Sequence, residues 1–399
     1  MYTPPAIILK KYADVLIKFA LWSGQGAKNG DVIFLSICES ARPLLPHLQK
    51  SILESGAHMV LNYQPDGLTR EFYELATSEQ LDFVPKEYLL ERVKMATHFV
   101  SIISEYNKHE LEGIDGKKIM QRGEQMKFFL DARRNKEDNN MLTWTCGLYG
   151  TPAMAKEVNL SEEEYWDEII RACYLDIENP IAKWQDFFKQ IETTKNKLNT
   201  LPIESVHVKG DDANLHIKIG NNRKWLGGSG RNIPSFELFV SPDWRGTNGW
   251  VRFNEPLYRY GVLIEGVELE FTDGIITNAK ASNNEQMLKD MLSVPNANKI
   301  GEFSLTDKKF SRITRFMGET LYDENVGGRY GNTHIAVGAS YRDSYTGDCK
   351  IISESQWEEL GFNDSSVHTD IVSTTNRKVT ATLTDGTTVV IYKDGEFTL

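Results

Sequence analysis

VIFLSIC, residues 32–38, is followed by ARPLLPHLQKSILE (41–54), a glycine at 56 and HMVLNY (58–63). A continuous apolar run of this length reads as a strand buried on both faces. The middle segment reads as a helix that ends at Gly56, and chain then resumes as a strand at His58–Tyr63. Strand, helix, strand is the βαβ rhythm, which implies a parallel sheet covered by helices. Working outward, the rhythm continues with a strand near Phe99–Ile103, a helix from about Lys117 and a strand at Met141–Thr145. Long helices at Asp167–Asp176 and Ile181–Leu198 close the region. Upstream, the apolar residues Ile8, Tyr12, Val15, Leu16 and Phe19 recur at helical spacing and are interrupted by Lys10, Lys11, Asp14 and Lys18. That pattern predicts an amphipathic helix packed on a core, not a membrane or export segment.

After Leu201 the texture changes. Short alternating runs follow one another at Ser205–Val208, Asn214–Ile219, Phe236–Val240, Gly249–Phe253, Val262–Glu265, Val267–Phe271 and Ile275–Asn278, with turn pairs such as Asp273–Gly274 between them. The C-terminus repeats the style at Lys378–Leu383 and Thr388–Tyr392. The expectation is an α/β + α+β chain of two domains. Residues 1–198 form a parallel-sheet α/β domain, and residues 199–399 a strand-rich, largely antiparallel domain.

The chain has 399 residues, a hydrophobic fraction of 40% and 25% charged residues, so it is long enough to bury a sizeable core. Lys+Arg 45 against Asp+Glu 56 leaves a net charge of −11, which argues against a nucleic-acid binder. The four cysteines, Cys38, Cys146, Cys173 and Cys349, are far apart and form no CxxC pair, so neither a zinc knuckle nor a disulfide framework is indicated. A reducing, cytoplasmic location without a membrane partner is expected. Gly24-Gln25-Gly26 with Gly30 resembles a dinucleotide loop but precedes its strand, whereas a phosphate loop must follow one. Gly227–Gly230 lacks the spacing of a serine elbow. Cys38 reads as a core thiol, and His47, His58, His98 and His109 as structural histidines.

The chemistry is expected in the second half. In VHTDI (367–371), strand periodicity places His368 and Asp370 on one face, with Val367, Thr369 and Ile371 on the other. Such a pair can serve as metal ligands or as a surface pair. In NTHIAVGASY (332–341), a helical reading puts Gly338 one turn beyond His334 and Tyr341 on the same face, roughly 10 Å along the axis. Glu237 lies in an otherwise apolar strand, and Glu302 interrupts another. Glutamate is rarely buried unless paired or bound to metal. Two histidines, an aspartate and two glutamates form a nitrogen and oxygen ligand set without sulfur. That set suits Zn²⁺, Co²⁺ or Mn²⁺ in a catalytic site.

Five strings, IPSFELFVSPDWRGTNG (233–249), IGEFSL (300–305), LYDEN (321–325), HIAVGASY (334–341) and VHTD (367–370), resemble in sequence and order the thermophilic-type metalloaminopeptidases, the aminopeptidase T, aminopeptidase S and PepS group. YADVLIKFAL (12–21), NGDVIFLSICESARPLL (29–45), SGAHMVLNY (55–63) and NPIAKWQDF (179–187) extend the resemblance nearly end to end. It implies a homodimeric aminopeptidase with two divalent ions, Zn, Co, Mn or Mg, that releases N-terminal residues from short peptides with a free amine. It also implies a dimer-forming or substrate-access role for the first domain. By motif matching, Glu237, Glu302, His334, Tyr341, His368 and Asp370 correspond to the metal-site residues. Glu302 would bridge the ions or act as general base, and Tyr341 would bind metal or stabilise the tetrahedral oxyanion. Glu324 is a supporting candidate. One departure is Phe236, which stands where members often carry a second acidic residue, a change expected to reshape substrate access. The rival reading is an inactive metal-binding homologue serving as an oligomeric scaffold.

Overall fold

The computed structural model describes residues 2–259 and 262–399. The chain forms two compact units, Met1–Gln185 with Ser229–Pro234, and Asp186–Gly228 with Ser235–Leu399. The long helix Pro180–Thr200 runs unbroken through the point of division.

The first unit is built on a five-stranded sheet, ordered His58–Gln64, Val32–Cys38, His98–Ile103, Thr143–Leu148 and Asn232–Ile233, with every pairing parallel. Val32–Cys38 has a neighbour on both sides, and Ile33, Phe34, Leu35 and Ile37 are buried, as its unbroken apolar run predicts. The segment expected as one helix from Ala41 begins instead as a 3-10 turn over Glu39–Leu44 and becomes α-helical only at Leu45–Glu54. Pro43 and Pro46 lack the N–H that a continuous α-helix would use, so the first turn tightens. The fourth strand runs Thr143–Leu148, later than the expected Met141–Thr145. Asn140, at φ 56°, stops the preceding helix, and the amide of Met141 still donates to the carbonyl of Lys136. Helix Ala6–Lys18 lies against this strand at Gly147, where a Cβ would meet the Tyr12 hydroxyl at 2.7 Å. At the opposite edge of the strands, His98 joins Asp31 Oδ2 and Thr143 Oγ1, both at 2.8 Å, and ties three strand beginnings together.

The second unit holds an eight-stranded antiparallel sheet, ordered Ile275–Lys280, Glu268–Thr272, Asn248–Arg252, Ala213–Lys218, Ile203–Gly210, Lys378–Leu383, Thr388–Lys393 and Glu396–Phe397. It also holds a four-stranded antiparallel sheet, ordered His368–Ser373, Asn332–Gly338, Ile300–Thr306 and Glu237–Val240. A separate hairpin pairs Leu257–Arg259 with Val262–Ile264. The two central strands of the smaller sheet, Ile300–Thr306 and Asn332–Gly338, are buried at every residue. The helical reading of 332–341 is therefore overturned. Thr333, Ile335 and Val337 put branched side chains at alternate positions, which suits a pleated surface and crowds a helix. Gly338, at φ 99°, ends the strand where a Cβ would lie 2.0 Å from the carbonyl oxygen of Val367.

Candidate metal centre

Antiparallel register places directly opposed residues on one face of a sheet. In the four-stranded sheet, Ser304 lies between Phe239 and His334, Ala336 between Glu302 and Asp370, and Gly338 opposite His368. Glu237 opens its strand opposite Thr306. The ionisable residues therefore project from one face, and small residues between them leave a floor. The other face carries Phe303, Leu305, Ile335, Val337 and Ile371, all buried.

Five of the six expected ligands converge there. His334 Nε2 lies 3.1 Å from Glu237 Oε2, 3.3 Å from Glu302 Oε1 and 3.9 Å from Asp370 Oδ1. His368 Nε2 lies 3.5 Å from Asp370 Oδ1 and 3.8 Å from Glu302 Oε2. These atoms form two groups that share one carboxylate: Glu237, Glu302 and His334, and Glu302, His368 and Asp370, each with ligand atoms within 4.8 Å of one another. Two atoms bound at about 2.1 Å to one tetrahedral ion sit roughly 3.4 Å apart, which the observed separations bracket. Tyr341 is not on a helix with His334. It follows the strand Asn332–Gly338, its amide donates to Ser241 Oγ at 2.8 Å, and its ring meets that of His368 at 4.8 Å.

Both imidazoles are held in one orientation. His368 Nδ1 donates to the carbonyl of Ala339 at 2.8 Å, and His334 Nδ1 lies 3.3 Å from Asn332 Oδ1. Asn332 spends its own amide N–H on the carbonyls of Glu324 and Val326, so its oxygen faces His334 as an acceptor. Each ring therefore turns Nε2, with its lone pair in the neutral form, toward the carboxylates, the arrangement a metal-binding histidine adopts. Ser304 Oγ donates to Glu237 Oε2 at 2.7 Å.

The electrostatics carry the same message. Glu237, Glu302, His334 and Asp370 are 7, 3, 1 and 8% exposed, so their charges are withdrawn from water. Burial, reinforced by the Glu237 and Asp370 charges, pushes the Glu302 carboxyl up to about 7. Burial opposes charge on His368 and His334, but Asp370 and Glu302 raise the former to about 9, and Glu237 and Glu302 hold the latter well above its ordinary value. Burial would raise Asp370, yet His368, His334 and Arg259 keep it low. Glu324, on the turn after Thr320–Asp323 and 8% exposed, is held well above the carboxylate range by burial and by Glu237 and Asp370. Loss of water and the charges of Glu302 and Asp370 likewise hold the Tyr341 phenol high, though 40% of the residue faces solvent. Such a cluster must be neutralised by protons or by cations, and its sulfur-free donors fit divalent metal.

Ser304 and Asn332 were not legible as site residues, although each lies two positions from a ligand in a strand, on the ligand's face. Phe236 does not border the site. It is fully buried, its ring lies 5.4 Å from that of Phe187, and its amide donates to Asn325 Oδ1. Strand alternation turns it away from Glu237, so the expected effect on substrate access is not found.

Residues 7–397 match the thermophilic metalloprotease (M29) family. Aminopeptidase AmpS of Bacillus subtilis (strain 168) is 26% identical, with 98% of each chain covered. Aminopeptidase T of Thermus thermophilus is 27% identical and aminopeptidase PepS of Streptococcus thermophilus 25%, again with 98% of each chain covered. The solved structure of wild-type AmpT from Thermus thermophilus shares the fold, with a TM-score of 0.84 at 24% identity over 98% of this chain and 99% of that one.

Proposed function

The chain belongs to the thermophilic metalloprotease family (M29), and on that premise we propose that it is an aminopeptidase acting on short peptides with a free N-terminus through two divalent ions. The ions would be zinc, cobalt, manganese or magnesium. The observation that carries this reading is the shared carboxylate. Glu302 turns Oε1 toward His334 and Oε2 toward His368, while the far nitrogen of each imidazole is tied to Asn332 or Ala339.

Glu237, Glu302 and His334 would hold one ion, and Glu302, His368 and Asp370 the other, with Tyr341 beside His368. When bound, the ions supply Lewis acidity toward a scissile carbonyl and lower the pKa of a coordinated water. With one oxygen turned toward each imidazole, Glu302 would help to hold both ions. Tyr341, whose ring lies beside that of His368, is placed to donate a phenolic hydrogen bond to a developing oxyanion. A free α-amine can be engaged by an ion or by a carboxylate of the cluster, which a blocked terminus cannot match.

The test compares hydrolysis of an aminoacyl p-nitroanilide with that of its N-acetylated twin, with added Co²⁺ or Zn²⁺. The expected outcome is cleavage of the free-amine compound alone, abolished by a chelator. Equal cleavage of both compounds, or indifference to the chelator, overturns the reading.

A further inference from the structure

Glu237 and Phe239 are alternate residues of one strand, so their side chains share the face that carries the carboxylates and imidazoles. Their surroundings differ. Glu237 is buried and accepts a hydrogen bond, whereas Phe239 is only half-buried, flanked by the buried Leu238 and Val240. The Phe239 ring lies 5.7 Å from the Tyr341 ring, and the Tyr341 ring 4.8 Å from that of His368, at interplanar angles of 59° and 63°. Tyr341 is 40% exposed and the His368 side chain 24%. The ionic groups are thus mostly withdrawn from solvent, while the more exposed rings of Phe239, Tyr341 and His368 stand in sequence beside them.

Phe239 opposes Ser304 in the register, which makes Glu302 its diagonal neighbour, at a backbone separation of roughly 7–8 Å. Resting on the aminopeptidase reading above, we infer that Phe239 is a specificity-determining residue: its ring is the wall that receives the side chain of the peptide's first residue. The α-amine and the scissile carbonyl flank one Cα. Anchoring both over the carboxylate cluster therefore fixes where the first side chain starts, whereas the second residue's side chain lies beyond the bond to be cut. A wall of apolar carbon at that place favours long apolar first residues over small ones, because it removes their methylenes from water. Tyr341, placed among the site groups already, supplies the adjoining part of the wall. Phe239 offers no donor or acceptor and contributes shape alone.

The experiment measures kcat/KM of the metal-loaded enzyme on leucyl and alanyl p-nitroanilides for wild type, Phe239→Ala and Phe239→Leu, together with metal content. The expected result is a leucine-over-alanine ratio that falls about tenfold in Phe239→Ala and is largely restored in Phe239→Leu, with metal content equal to wild type in both. An unchanged ratio in Phe239→Ala overturns the assignment while wild-type turnover leaves the aminopeptidase reading standing. A changed ratio accompanied by lost metal also overturns it, because the ring would then be holding the floor together. If wild type cleaves neither compound, the aminopeptidase reading itself fails and the wall with it.

Discussion

Glu302 keeps 3% of its surface exposed and has two other carboxylates, Glu237 and Asp370, acting on it. An ionised carboxylate in that position is tolerated only beside a compensating charge, and both imidazoles aim at it. Glu302→Gln keeps the volume and removes the charge. Metal content measured after dialysis should drop below wild type, and kcat/KM should fall by on the order of a hundredfold or more. Full metal content with unaltered kcat/KM would show that Glu302 is no ligand. Ser304→Ala is a milder change, since it deletes only the hydroxyl that fixes Glu237 Oε2. Metal affinity should weaken by roughly tenfold with the fold intact, as read from a competition titration against a chromogenic chelator.

At the scale of elements, the site depends on where strands stop. Gly338 takes φ 99°, and a Cβ there would lie 2.0 Å from the Val367 carbonyl oxygen, beside the start of the strand that carries His368 and Asp370. Gly338→Ala should cost about 2–3 kcal/mol of stability by denaturant unfolding and weaken metal binding at the same time. Wild-type stability in that variant would mean the backbone relaxes without strain. In the first unit the comparable element is the row of strand beginnings joined by His98. Burial lowers the pKa of His98, against the opposing pull of Asp31. The unfolded chain protonates His98 near 6.5 and the folded chain only below that, so the unfolded state binds more protons in this window. Stability contributed by neutral His98 is present above pH 6.5 and is lost as pH falls below it. His98→Gln should therefore shrink the drop in Tm between pH 7.5 and pH 5.5; an undiminished drop would assign the acid sensitivity elsewhere.

For the whole molecule, metal is expected to stabilise by binding the folded state alone, about 2.7 kcal/mol at a hundredfold excess over Kd. The five proposed ligands and Tyr341 all belong to the second unit. Chelation should therefore accelerate amide exchange in the strands Glu237–Val240, Ile300–Thr306, Asn332–Gly338 and His368–Ser373, and leave Val32–Cys38 and His98–Ile103 unchanged. Uniform acceleration along the chain would contradict that localisation.

The parallel sheet was legible because its strands are locally unambiguous. VIFLSIC is a strand over the residues expected, and the prolines at 43 and 46 altered only the start of the following helix. Candidate ligands were legible as residue types that are costly to bury: Glu237 and Glu302 in apolar runs, His368 and Asp370 a pleat apart. The stretch 332–341 misled, because apolar residues around one histidine satisfy either a helix or a strand until neighbours pair with it. The sequence by itself determined which segments alternate and which side chains could carry ionic chemistry, since both follow from local periodicity and from the free energy of burying charge. Only the tertiary structure decided that Glu237 and Glu302, 65 positions apart in sequence, meet across two strands with His334 and Asp370, and that Ser304 and Asn332 orient them. The physical reason is register: antiparallel pairing has a period of two, so a slip of one residue would turn every ligand to the opposite face. That choice is made by packing between distant strands, not by any stretch of the chain alone.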